Sequence, residues 1–225
     1  MSAIVGKKLG MTRVFDDEGA AIPVTVIEAA PNKITGIRKA DRDGYDAVQL
    51  AAIPVKEGKL TKGELGHLKK AGADPMKTLV EFRDVEIAAP AASGEGEGDE
   101  GGQAEGGEPK VGDDVTVATF QPGDKVKVSA ISIGKGFQGT VKRHGFSRGP
   151  VTHGSHNVRA PGSVGASADP ARVFKGVRMP GQMGAKRVTQ RGATIVEVDA
   201  ERNLLLIKGS VPGAKNATVE VRTLG

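Results

Sequence analysis

The chain has 225 residues, of which 38% are hydrophobic and 3% aromatic, with 33 glycines, no cysteine and a formal net charge of +5. The lack of cysteine excludes disulfides, thiolate metal sites and a cysteine nucleophile, and no stretch approaches the ~18 apolar residues of a membrane span. The opening Met1-Ser2-Ala3-Ile4-Val5-Gly6-Lys7-Lys8 carries no apolar signal segment, so a cytoplasmic protein is expected, with one small core of Val, Ile, Leu and Ala.

Short strands dominate the first ninety residues. Residues 11–15 run into the turn cluster Asp16-Asp17-Glu18-Gly19, and 22–28 follow, rich in β-branched side chains (Val24, Thr25, Val26, Ile27). A further strand at 34–38, the turn signal Asp43-Gly44 and an alternating strand at 45–50 lead to a helix over 61–70. That helix has Thr61 as N-cap, Glu64 at the third position and Gly72 just past its end. Residues 79–83 read as a strand. Residues 93–108 differ in kind: six acids (Glu95, Glu97, Asp99, Glu100, Glu105, Glu108) and seven glycines with no large apolar residue, the composition of an acidic loop without a core of its own. Strands resume at 114–118 and 125–133, and again at 193–198, 204–208 and 218–221. Short, evenly spaced strands of this kind predict a mainly β fold, a barrel with one short helix.

Between the last two groups of strands lies an irregular segment. Residues 134–190 hold eleven glycines and four prolines and follow neither the period of a strand nor that of a helix. Eleven basic residues lie between 134 and 191 (Lys135, Lys142, Arg143, Arg148, Arg159, Arg172, Lys175, Arg178, Lys186, Arg187, Arg191) against the single acid Asp169. Residues 134–191 are therefore +10 and the remainder of the chain −5. The expected organisation is a barrel domain of residues 1–133 with 191–225, from which 134–190 departs as a basic extension.

This composition suits a chain packed between RNA helices. Glycine lets the backbone approach phosphates and sugars, Lys and Arg neutralise phosphates, and planar Arg also stacks on bases. His144, His153 and His156 can donate to phosphate and to the 2′-hydroxyl, while Phe137, Phe146 and Phe174 can stack. A short helix is expected at 169–175, with Asp169 as N-cap and Pro170 in its first position. Two motifs suggest other chemistry. Gly134-Lys135-Gly136-Phe137-Gln138-Gly139 matches G-x-G-x-x-G, but a dinucleotide site also needs a helix opening there and an acid about 20 residues on. Gly145 and Pro150 are expected to break such a helix, and no acid precedes Asp169. The three histidines have no carboxylate or thiol among them, so no metal and no cofactor are expected. The rival readings are an enzyme that uses 134–139 as a phosphate loop, and a DNA-architectural protein.

Several runs taken together carry a resemblance: Val5-Gly6-Lys7-Lys8-Leu9-Gly10-Met11-Thr12-Arg13-Val14-Phe15, Ile22-Pro23-Val24-Thr25-Val26, residues 134–143, Pro161-Gly162-Ser163-Val164-Gly165, Val173-Phe174-Lys175-Gly176, and residues 179–184 and 198–208. In this order, over nearly the whole chain, they resemble the bacterial form of the ribosomal protein L three family of the large subunit. The resemblance implies a closed barrel of the translation-protein type on the subunit surface and an extension, here 134–190, that runs toward the peptidyl transferase centre, with its innermost loop near 163–170. It implies direct binding to large-subunit ribosomal RNA early in assembly, the fourteenth and nineteenth large-subunit proteins as neighbours, and no membrane, small-molecule substrate or catalytic step. The candidate RNA-contacting residues are Lys7, Lys8 and Arg13 in the first run, and Lys135, Phe137, Lys142, Arg143, His144, Arg148, His153, His156, Arg159, Ser163, Arg172, Lys175, Arg178, Gln182, Lys186 and Arg187. The acidic loop has no counterpart in the family pattern. Ala168 stands where some bacterial members carry a methylated Gln, so no such modification is expected, and Ala166 and Ser167 replace bulkier amides.

Overall fold

The computed structural model describes residues 2–83 and 109–224; the acidic stretch 93–108 lies outside them. The fold is mainly β. Its strands are β1 (Ala3–Phe15), β2 (Ala21–Glu28), β3 (Asn32–Arg38), β4 (Ala47–Pro54), β5 (Met76–Arg83), β6 (Asp114–Val115), β7 (Lys125–Ile131), β8 (Phe137–Gln138), β9 (Gly181–Gln182), β10 (Arg187–Asp199), β11 (Leu204–Lys208) and β12 (Thr218–Thr223). The helices are α1 (Ala40–Asp43), α2 (Lys62–Lys70) and α3 (Thr140–His144). The chain divides into two compact units, Met1–Ile131 with Arg187–Gly225, and Ser132–Lys186. Among the described residues no helix is long and apolar enough to cross a membrane.

In the first unit β1, β12, β7, β10, β11 and β2 close into an antiparallel barrel. Alternation along each strand fills its interior: Ile4, Ile27, Val126, Val128, Ile195, Leu205, Ile207, Val219 and Val221 are all buried there. A second sheet, in the order β5-β4-β3-β6, encloses another core of Ile34, Val48, Leu50, Phe82 and Val115. β1 serves both cores. Ile4 points into the barrel, while its neighbours Ala3 and Val5 pack into the second core. With both faces buried, the start of β1 shows no apolar–polar alternation, which is why the sequence predicts a strand only from residue 11 while the strand begins at Ala3.

Asn32, fully buried, joins the layers. Its Nδ2 donates to Val5 O at 3.0 Å and Ala30 O at 2.9 Å, and its Oδ1 accepts from Val5 N at 3.3 Å. Gly6 permits the close approach of β1 to β2: a Cβ there would lie 2.7 Å from Glu28 O and from Ile27 Cγ2. α2 begins as expected. Thr61 Oγ1 accepts from Glu64 N at 3.4 Å and Glu64 Oε2 accepts from Thr61 N at 2.8 Å, a reciprocal capping box.

Other boundaries differ from the sequence reading. The strand expected at 114–118 is the two-residue β6 followed by a 3₁₀ turn at Val117–Thr119. β10 begins at Arg187, not residue 193, because its exposed basic start is held by the ladder to β7 from Arg187↔Ile131 onward. Its register shifts at Gly192, in the left-handed region at φ +76°, as a β-bulge requires.

The second unit has little regular structure. Its base is the β8–β9 pair, with Phe137 opposite Gln182. Gly184 sits at φ +70° where a Cβ would overlap the carbonyl of Ile133, so only glycine fits. A helix does open after Gly139, and Gly145 at φ +73° breaks it after five residues, as expected of that glycine. The helix expected at 169–175 does not form: Ala171 takes φ +54°, which interrupts any right-handed turn there.

Candidate nucleic-acid interface

The second unit lacks a core of its own. Among residues 132–186 the only buried residue is Thr140, at the start of α3. Large apolar side chains stand in the open instead: Phe137 is 75% exposed, Val151 68% and Phe174 55%. Local hydrogen bonds shape the unit. Arg143 Nη1 donates to Met179 O at 2.5 Å and His144 Nε2 donates to the same carbonyl at 3.0 Å, tying α3 to the irregular segment that leads into β9. Gly149 N donates to Val158 O at 3.0 Å and closes a loop that contains His153 and His156, and Ser163 Oγ donates to Gly165 O at 2.9 Å. Arg172 lies over the Phe174 ring at 5.1 Å, and the His144 and Phe146 rings are 5.9 Å apart.

Fifteen of the candidate residues fall in this unit: Lys135, Phe137, Lys142, Arg143, His144, Arg148, His153, His156, Arg159, Ser163, Arg172, Lys175, Arg178, Gln182 and Lys186. Apart from the partly covered Arg143 and His144 they are exposed. Among the described residues none of the unit's cations takes part in an ion pair. Nine lysines and arginines thus face solvent or backbone with only Asp169 nearby in sequence. Unscreened like charges on a chain without a core do not stabilise its fold, but they leave each cation available to an external anion. The structure shows no group of three or more His, Cys, Asp or Glu able to hold a metal among the described residues.

The other four candidates belong to the first unit and are not gathered together. Arg13 lies 6.0 Å from the Phe15 ring centre in the β1–β2 hairpin. Lys7 is half-buried in β1, between its partners Thr218 and Glu28. Lys8 Nζ donates to Val211 O at 2.7 Å and Gly213 O at 3.2 Å, so two of its three donors are engaged inside the protein. Arg187 pairs with Glu220 on β12.

Strand register also assembles a group that the sequence does not display. Arg191 on β10 stands opposite Lys127 on β7, which stands opposite Arg222 on β12. Burial and the nearby Arg222, Arg191 and Arg187 charges hold the Lys127 ammonium below the ordinary lysine value. The only local sign is a cation at an outward-facing strand position, one of many in the chain.

The sequence is similar to those of known proteins. The family described as Ribosomal protein L3 matches residues 110–203. Over 218 residues the chain is 49% identical to the large ribosomal subunit protein uL3 of Synechococcus elongatus, covering 97% of this chain and 93% of that protein. The uL3 proteins of Acaryochloris marina and Prochlorococcus marinus are 46% and 44% identical over 219 residues, with 97% of this chain and 94% and 92% of theirs covered. Identity of 44–49% over 97% of its length shows the family: the chain belongs to the ribosomal protein L3 family.

Proposed function

We propose that this protein is a structural constituent of the large ribosomal subunit, that it binds large-subunit ribosomal RNA directly, and that residues 132–186 are its principal RNA-contacting segment. The observation that carries this reading is the character of that unit: nine cations, one acid, exposed apolar and aromatic side chains, and one buried residue. Such a chain cannot offset its ordering entropy by internal burial, so its ordered state needs an external partner. A polyanion with stacking surfaces supplies what both the cations and the aromatics lack.

Family membership supports the finer parts of the proposal. The barrel fixes position in the subunit, the extension reaches toward the peptidyl transferase centre and buttresses its RNA, and binding occurs early in assembly in the cytoplasm. The fourteenth and nineteenth large-subunit proteins are the proposed neighbours. The protein orders RNA, and the catalysis belongs to the RNA.

Sedimentation of a native lysate tests the proposal. The chain should travel with the large subunit and remain there through a high-salt wash. Migration as a free small protein would refute it.

A further inference from the structure

The outer wall of the barrel carries a cationic row that the extension does not explain. β10, β7 and β12 lie side by side, and their outward positions bring Arg191, Lys127 and Arg222 abreast, while Val126, Val128 and Val221 between them point into the core. Like charges directly opposite one another on adjacent strands destabilise a sheet. Among the described residues none of these three takes part in an ion pair. One row further along, Ser129 Oγ and Thr189 Oγ1 share a hydrogen bond of 2.8 Å. The two acids beside the row already have other partners: Glu220 pairs with Arg187, and Glu81 accepts from Arg38 and from Tyr45 Oη. Lys127 and Arg222 line a cavity of about 230 Å³, together with the cations Arg83 and Arg187, the acids Glu81 and Glu220, and Ser129. Arg83, a fourth cation at its edge, lies 4.3 Å over the Tyr45 ring and has no ion pair among the described residues.

We propose that Lys127, Arg191 and Arg222 form a second phosphate-binding site, on the barrel wall, that docks the RNA backbone separately from residues 132–186. The geometry favours a polymer over a single small anion. Two interstrand spacings of ~4.8 Å make the row about 10 Å long, with the cations side by side and not convergent on one point. Successive phosphates of one strand meet such a row in turn, and the two arginines can each grip a phosphate bidentately. The site rests on the RNA-binding reading above, and its test separates the two.

The full chain is measured against a large-subunit ribosomal RNA fragment as wild type, as Arg191→Gln and as Arg159→Gln, the last altering the 132–186 unit. Arg191 is exposed, so its replacement leaves the barrel folded. Arg191→Gln is expected to bind about tenfold more weakly and to lower the slope of log affinity against log salt by about 1. In a second readout, acetylation of Lys127 in the wild type should slow at least several-fold on RNA binding, as should acetylation of Lys142 and Lys175. If the wild type does not bind the RNA, the RNA-binding reading falls and takes this site with it. If Arg159→Gln lowers the slope and protects the reading, but Arg191→Gln keeps wild-type affinity and slope and Lys127 is acetylated equally free and bound, the barrel site alone is overturned. Protection of Lys127 by inorganic phosphate alone to the same extent as by RNA would likewise overturn it, since a small-anion site would then account for the row.

Discussion

Replacing Arg148, Arg159, Lys175 and Arg178 together by glutamine isolates the electrostatic part of RNA binding. All four are exposed, and none makes an ion pair or a side-chain hydrogen bond among the described residues. Their loss should therefore leave thermal stability within the small range of ordinary surface substitutions, about 0.5 kcal/mol. Binding should respond strongly. Residues 132–186 contain nine cations, and each neutralised phosphate contributes about 0.7 to 0.9 to the slope of log affinity against log salt. With all nine engaged, the slope is about −6 to −8, and raising salt from 50 to 200 mM weakens binding by about 10⁴–10⁵. The quadruple variant should retain a slope of about −3.5 to −4.5 and lose only about 10²–10³ over the same interval. Filter binding to a large-subunit ribosomal RNA fragment at several salt concentrations gives both numbers. An unchanged slope would show that these cations stay solvated in the complex, and the reasoning from exposure and missing counter-charge would fail.

Two predictions concern the scaffold. Asn32→Ala removes three buried hydrogen bonds and strands the N–H and C=O of Val5 between the two cores, so urea unfolding should show a loss of about 2–4 kcal/mol; a loss below about 1 kcal/mol would mean that the groups find other partners. Glu64 titrates below its ordinary value because it accepts from the Thr61 backbone N–H and then from the Thr61 hydroxyl, against a smaller opposing effect of burial. With the folded value depressed, its contribution is fully present above the unfolded value and is lost as pH falls through the folded one. Acid melting curves of wild type and Glu64→Gln should therefore differ at neutral pH and converge below the ordinary carboxylate range; parallel curves would refute the linkage.

Chemistry confined to a few neighbouring residues was legible in the sequence. The Thr61–Glu64 capping box, the Asp16-to-Gly19 turn and the Asp43-Gly44 turn depend on side chains within one turn of the backbone groups they serve, and each lies where composition puts it. The basic segment was legible for a related reason: a run that lacks apolar periodicity and counter-charge cannot be core, whatever surrounds it. Backbone conformation inside that segment was not. Its glycines allow many paths: Ala171 takes the left-handed region, and α3 is held through Arg143 by the Met179 carbonyl, 36 positions away.

Composition and spacing by themselves determined the class of the protein: strands enough for a barrel, one capped helix, and a cationic excursion suited to RNA. Only the tertiary structure decided which faces those strands share. Ala3, Ile4 and Val5 look alike in sequence, yet alternation sends the middle one into the barrel and the outer two into a second core, with Asn32 holding the junction. Lys127, Arg191 and Arg222 are separated by 64 and 31 positions, and nothing local relates them. Strand register, fixed by ladder pairing and by the bulge at Gly192, sets them abreast, because a shift of one residue would turn each side chain to the opposite face.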